Sequence, residues 1–523
     1  LFFFTIRNTR DKYEEKIQKP LKSKRFLGNI NYNAVIMEEI KMRVLENCEP
    51  KRVFYYFEDI CSIPHGSGNT QKISDYCVNF AKEHGLNYRQ EECGNVVIWK
   101  DATSGYEQAD TVILQGHMDM VAVKDADCPL DLKKDGLIPE VDGAWIQAKG
   151  SSLGGDDGIA VAYALAILAA DDIPHPALEV VFTVGEEVGL VGATALDTSD
   201  LKGKILMNID SEDDGIFLIG CAGAATVACC LPVKKETVYG QQYVWHTEGL
   251  MGGHSGMEIS RERANANKIF GRFLAECMDE IGFSIVSVSG GEKDNAIAKQ
   301  CTARLVVPEE KTASFEDAVQ TFEIMLKREH HFTDPQMHIY VEKEGCGETE
   351  VLTGEIAQKL MFLLIHLPNG VQKRIPEVPD SVQTSLNMGI LAQTEDEISM
   401  TFSVRSSVTS EKEWLMKQMQ HLTGSVDGYC RISGVYPAWE YQPNSKIRSL
   451  MIETYEEIAD KKPETAAIHA GVECGIFCEK MPGLDCISYG PQINDIHTTR
   501  ERLNIESVKR NWELTLAVLE KLT

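Results

Sequence analysis

The sequence predicts an α/β protein interrupted by a large α+β segment. Three observations predict this. From residue 37 to about 220, short apolar strand runs alternate with helical periods, the pattern of a sheet with helices on its faces. From about 222 to 442 the strands instead alternate polar and apolar residues between long amphipathic helices, as in antiparallel sheets solvated on one face. From 443 to 523 the first style returns.

The elements follow in order. Val53–Cys61 and Thr70–His84 carry apolar residues at helical spacing. Val96–Trp99 and Val112–Leu114 are short, wholly apolar runs expected as buried strands. Ile159–Ala170, rich in Ala and Leu, is expected as a core helix. Leu178–Val184 and Lys204–Ile209 are two further strands. In the middle segment, strands are expected at Tyr243–His246, Ala303–Val307, His338–Val341 and Ile398–Val404. Helices are expected at Arg263–Met278, Ser314–Arg328, Thr353–Leu367 and Ser410–Leu422. The last stretch holds Ile447–Ala459, Ser488–Gly490 and Ile505–Leu522, the final helix with Asn504 as N-cap. The domain boundaries are therefore set at 37–221, 222–442 and 443–523. Residues 1–36 are expected as a disordered extension or start-site artefact, with Met37 as the start, because Arg7 to Arg25 is basic with little helical period. A targeting peptide is the rival reading there.

Composition narrows the function. At 523 residues the chain is too long for one core. Its net charge of -27 repels phosphate backbones and anionic headgroups, which excludes nucleic acid and membranes as partners. The 15 cysteines are an odd number without a framework pattern, which suits a reducing cytoplasm. Cys474 and Cys478 are expected as buried apolar residues rather than a metal or redox pair.

Five segments concentrate His, Asp and Glu where strands end or glycines turn the chain. In open α/β sheets functional groups gather at the carboxyl ends of strands, so the five are assigned to one site. His117 closes Val112-Ile113-Leu114-Gln115-Gly116, and Asp119 is near enough to accept its ring N–H. A turn with a satisfied polar pair is the plainer alternative. Asp156 lies in Gly154-Gly155-Asp156-Asp157-Gly158 before an apolar helix, and its two oxygens suit bridging two cations. Asp157 is expected to cap that helix. Glu186 and Glu187 follow a strand, and adjacent buried carboxylates need a cation or a shared proton; one would ligate and the other remain a base. Asp210 closes another strand, with Glu212 to Asp214 expected at the surface. His497 sits in the loop before the last helix. Two histidines and several carboxylates without a Cys pattern suit Zn²⁺ or Mn²⁺. Two such ions about 3.5 Å apart can clamp and deprotonate a water.

The set H-x-D, G-G-D-D-G, G-E-E-x-G, N-I-D and a late His resembles the M20 metallopeptidases, nearest their aminoacyl-histidine (Xaa-His) dipeptidase branch. The likeness runs from about residue 45 to the C-terminus. It implies a zinc-peptidase-type sandwich catalytic domain interrupted by a lid domain. It implies that His117, Asp156 and Asp210 hold one metal and Asp156, Glu187 and His497 a second. The ions would be Zn²⁺, with Mn²⁺ or Co²⁺ as alternatives. Glu186 would be the base and Asp119 would orient His117. His254, in Gly252-Gly253-His254-Ser255-Gly256, matches the lid histidine that stabilises the oxyanion. Asn295, Arg405, His469 and Glu473 match substrate-contacting segments. Where relatives often carry Asn after the bridging Asp, this chain has Asp157. The implied activity is hydrolysis of dipeptides, Xaa-His and carnosine-like, by a homodimer paired through the inserted domain. The alternatives are an N-acyl amino acid deacylase using the same site and a non-catalytic metal-binding protein.

Overall fold

Two large sheets divide the chain between them. The structure is a computed structural model and describes residues 43–375 and 381–523. The readings made for residues 1–36 and Met37 lie outside the described residues.

The first sheet has eight strands. Their spatial order is Asn87–Gln90, Val96–Lys100, Leu178–Thr183, Val112–His117, Ile205–Asn208, Asp485–Ser488, Ile216–Cys221 and Glu464–Ile468. The four in the middle run parallel, from Leu178–Thr183 to Asp485–Ser488. In register, His117 lies beside Thr183 and Gln115 beside Asn208. Val112–His117, Leu178–Thr183 and Ile205–Asn208 are buried throughout, as expected of parallel strands covered on both faces. The helix Gly155–Leu168 is also buried at every position. Tyr163, on that helix, donates its hydroxyl to the Val508 carbonyl at 2.6 Å, tying it to the last helix, Ile505–Lys521. Asn504 caps the last helix as expected, its Oδ1 accepting from the Ser507 N–H at 2.9 Å.

The second sheet is antiparallel and nine-stranded, built from strands between Gly223 and Tyr436. Helices Ala266–Ile281, Thr312–Glu329, Gly354–His366 and Thr409–Gly424 bury their apolar stripes in this part of the chain. Its core includes Trp245 stacked on Phe273 with ring centroids 5.4 Å apart. The first and second sheets thus give an α/β architecture interrupted by an α+β one, as the sequence predicts. A small third sheet, Ile493–Asn494, Arg502–Asn504, Trp145–Ala148 and Pro139–Asp142, brackets the loop that carries His497. Among the described residues no helix is long and apolar enough to cross a membrane. All 15 cysteines are free. Cys474 is buried in an apolar cluster, with Cys478 packed against it.

Candidate metal centre

The parallel strands end on one edge, where His117 closes its strand and the segments after two others bring Glu186, Glu187 and Asp210. His117 is 1% exposed. Its Nδ1 faces the Asp119 main-chain carbonyl at 2.9 Å, so that nitrogen carries the proton. The lone pair is then on Nε2, which points at Asp156 Oδ1 at 3.1 Å and Asp210 Oδ1 at 3.4 Å. Glu186 Oε2 stands 4.0 Å from the same nitrogen. The second carboxylate oxygen of Asp156, Oδ2, lies 3.2 Å from His497 Nε2, and Glu187 Oε1 lies 2.9 Å from it. Asp156 therefore presents one oxygen to each histidine.

Two details correct the sequence reading. Asp119 was expected to accept the His117 ring proton with its carboxylate, but that carboxylate stands 3.6 Å away. The turn after His117 swings the Asp119 carbonyl under the ring instead. The freed carboxylate accepts the Glu186 N–H at 3.1 Å and the Ser67 hydroxyl at 2.8 Å, so Asp119 holds the backbone of Glu186. Asp157 was expected to cap the core helix. Its backbone is not helical, and its Oδ2 accepts the His117 N–H at 3.0 Å. That approach requires Gly116: a Cβ there would lie 2.6 Å from Asp157 Oδ2 and 2.5 Å from Ala160 Cβ.

Electrostatics show what this arrangement lacks. Among the described residues, the ion pairs of Asp156, Glu186, Glu187 and Asp210 are all with histidines. Burial pushes the carboxyls of Glu186, Glu187 and Asp210 up, neighbouring carboxylates adding to it. Hydrogen bonding to Asp156 and Glu187 lifts His497 to about 10. Glu187 Oε1 is buried, and among the described residues its ion pair is with His497. Several buried carboxylates crowded around two imidazole nitrogens are the arrangement that ligands of a common cation adopt. Two groups, His117–Asp157–Asp210 and His117–Asp156–Glu187, have ligand atoms within 4.8 Å of one another. The donor set of nitrogen and oxygen without sulfur fits a divalent ion such as Zn²⁺ or Mn²⁺.

The remaining candidates fall in different places. His254 Nδ1 accepts the N–H groups of Gly256 at 3.3 Å and Met257 at 3.1 Å, which leaves Nε2–H as a donor. Burial, then the Arg405 charge, lowers its pKa and keeps the ring neutral. Arg405 is 8% exposed and donates to the Tyr436 hydroxyl at 3.1 Å. His469 Nε2 bonds Ser385 Oγ at 2.8 Å, and burial with the Arg405 charge lowers its pKa to about 4. Asn295 is exposed, its main chain bonded to Ser255 and Asp294. Glu473 was expected near the substrate terminus, but it has no exposed surface. Its helix, Cys474–Lys480, begins against the first sheet, and Oε2 accepts from Gln115 Nε2 at 2.5 Å and Thr183 Oγ1 at 2.7 Å. It braces the strand ends beneath His117. The acids after Asp210 are not all surface groups either. Asp214 pairs with Arg510 at 2.6 Å and is 10% exposed, and Glu212 faces a cavity.

Glu501 is a residue the sequence reading missed. It is 3% exposed and its carboxylate accepts the N–H groups of Leu153 at 2.9 Å, Gly154 at 3.2 Å and Gly155 at 2.7 Å. Lying four positions after His497, it ties the His497 loop to the Asp156 loop. Each buried donor left without a partner costs about 1–3 kcal/mol. Glu501→Ala is therefore expected to lower the thermal midpoint by several degrees and weaken metal binding, measured by calorimetry and by titration against a chromophoric chelator. A variant with unchanged midpoint and affinity would refute this bracing.

The cytosol non-specific dipeptidase of Escherichia coli (strain K12) is 34% identical over 92% of this chain and 99% of its own length. The crystal structure of an aminoacylhistidine dipeptidase from Vibrio alginolyticus superposes with a TM-score of 0.85 at 34% identity, covering 92% of this chain and 98% of that one. An aminopeptidase from Bacillus cereus, at 16% identity, 91% coverage of this chain, 99% of its own and a TM-score of 0.52, shares the fold. The family model described as peptidase family M20/M25/M40 matches residues 113–521. That stretch contains His117, Asp156, Glu186, Glu187, Asp210 and His497, and the chain belongs to this family of metal-dependent peptidases.

Proposed function

We propose that the protein is a cytoplasmic di-zinc dipeptidase acting on Xaa-His and related dipeptides. One observation carries the reading: the two oxygens of Asp156 face two different histidines, His117 at 3.1 Å and His497 at 3.2 Å. A carboxylate so shared suits two ions, one also held by Asp210 and the other by Glu187. Bound there, Zn²⁺, or Mn²⁺ or Co²⁺ in its place, would polarise the scissile carbonyl and bring the pKa of a water toward about 7.

The chain's own groups supply the rest. Glu186, fixed through its N–H by Asp119, takes a proton from the attacking water and returns it to the leaving amine. Neutral His254 donates from Nε2 to the oxygen that becomes negative as the carbonyl is attacked. Arg405, already bonded to Tyr436, and Asn295 contact the substrate's carboxylate end. The segment 222–442 acts as the lid over catalytic parts 37–221 and 443–523. Homodimerisation through that lid is supported by its edge strand Tyr429–Tyr436, where Tyr429, Ile432 and Val435 are exposed, and by exposed Trp414.

The test is metal analysis with a substrate panel of Ala-His, Gly-His and an N-acetyl amino acid, before and after chelation. The dipeptides are expected to turn over, to stop on chelation and to recover with Zn²⁺. Undiminished turnover after complete demetallation would end the reading.

A further inference from the structure

Beyond Asp210 the chain runs through Ser211, Glu212 and Asp213 along a cavity of about 330 Å³. The facing walls include Gly256 and Ser260, just after His254, and Ile468 and His469. This volume is at the low end of the about 300–1,000 Å³ of small-molecule sites, which suits a ligand of two residues better than a long peptide. Acidic groups line it and no lysine or arginine does. Asp213 is engaged, accepting from Gln492 Nε2 at 3.2 Å. Glu212 is different. Its main-chain carbonyl accepts from Ile493, but among the described residues no other side chain donates to its carboxylate.

The cavity is asymmetric in charge. Its His469 wall is bonded to Ser385, which stands opposite Arg405 on the neighbouring strand. One side therefore offers an unpaired carboxylate and the other is backed by a guanidinium. A dipeptide is a zwitterion with the complementary pair, an ammonium at one end and a carboxylate at the other. A carboxylate withdrawn from water needs a cationic or hydrogen-bonding partner.

We propose that Glu212 binds the free α-ammonium group of the substrate and so makes a free amine a condition for turnover. The assignment rests on the dipeptidase reading and deepens it. An N-acyl amino acid presents no ammonium, so it would leave the half-buried Glu212 carboxylate unpaired. Sites built around such a polar contact discriminate strongly against ligands that lack it.

The test compares Ala-His with propionyl-His, which has the same skeleton without the ammonium group. In the wild type kcat/KM should favour Ala-His. In Glu212→Gln that preference should fall by about 100-fold, as for loss of a charged hydrogen bond, mainly through KM. Propionyl-His kinetics and metal content should stay unchanged. Glu212→Asp, which keeps the charge, should restore part of the preference. Where propionyl-His turns over too slowly, its inhibition constant against Ala-His gives the same comparison. An unaltered preference in Glu212→Gln overturns the assignment, and so does an equal loss on both substrates. Wild-type protein inert toward every dipeptide would instead sink the dipeptidase reading itself.

Discussion

Replacing Glu186 by alanine is expected to leave metal content at the wild-type level and to lower kcat by about 10²–10⁴-fold. The expectation follows from where Glu186 stands. Its Oε2 is 4.0 Å from His117 Nε2, the longest of the contacts that nitrogen makes with carboxylates, whereas Asp156 and Asp210 approach to 3.1 and 3.4 Å. The nearer oxygens are placed to ligate, and the farther one is free to carry a proton. Its backbone is fixed independently, through the N–H bond to Asp119, so truncating the side chain leaves the turn intact. Elemental analysis of the gel-filtered variant, with steady-state kinetics on Ala-His, decides the matter. Turnover near the wild-type rate would remove Glu186 from the chemistry.

Asp156→Asn is expected to have the broader effect, because one side chain serves both histidines. The amide keeps the shape but loses the charge and turns one oxygen into a donor. Changes to groups that only support a ligand already cost about 10–100-fold in metal affinity, and loss of a shared ligand should exceed that. Both ions should be depleted after dialysis, with activity at background. Glu187→Gln supplies the contrast, since of the two histidines Glu187 pairs with His497, and it should deplete one ion of the two. Retention of two ions per chain by Asp156→Asn would show that its oxygens do not bridge.

Much of this site was legible in the sequence because its residues sit where apolar strands stop. Val112–Leu114, Leu178–Val184 and Lys204–Ile209 advertise buried parallel strands, and whatever polar residue follows such a run reaches the sheet's carboxyl edge. Helices were legible through their periodicity, with bounds moved by a few residues; the expected Arg263–Met278 is Ala266–Ile281, where Asn265 accepts from two first-turn N–H groups. Contacts fixed by the fold were less legible. Glu501 meets the amide of Gly155 across 346 positions, and no local pattern encodes that meeting. Asp157 reads as a helix cap because an acid before an apolar helix usually is one, yet the backbone turns its carboxylate toward His117. Short strands such as Pro139–Asp142 owe their form to neighbours rather than to propensity. The polar–apolar alternation of the middle segment foretold half-solvated strands but not that nine would join in one sheet.

The order of strands in the first sheet bears on how the protein comes into being. Asp485–Ser488 lies between Ile205–Asn208 and Ile216–Cys221, in the middle of a sheet whose other members, save Glu464–Ile468, are synthesised far earlier. A nascent chain lacks that central strand, and the His497 loop that follows it, until the other seven strands of the sheet have been made. Domains assemble as their residues emerge, so the segment from Gly223 to Tyr436 can close on itself while its host sheet still has a gap. A product terminated before Asp485 lacks both the central strand and His497, and is expected to stay inert toward the small peptides around it.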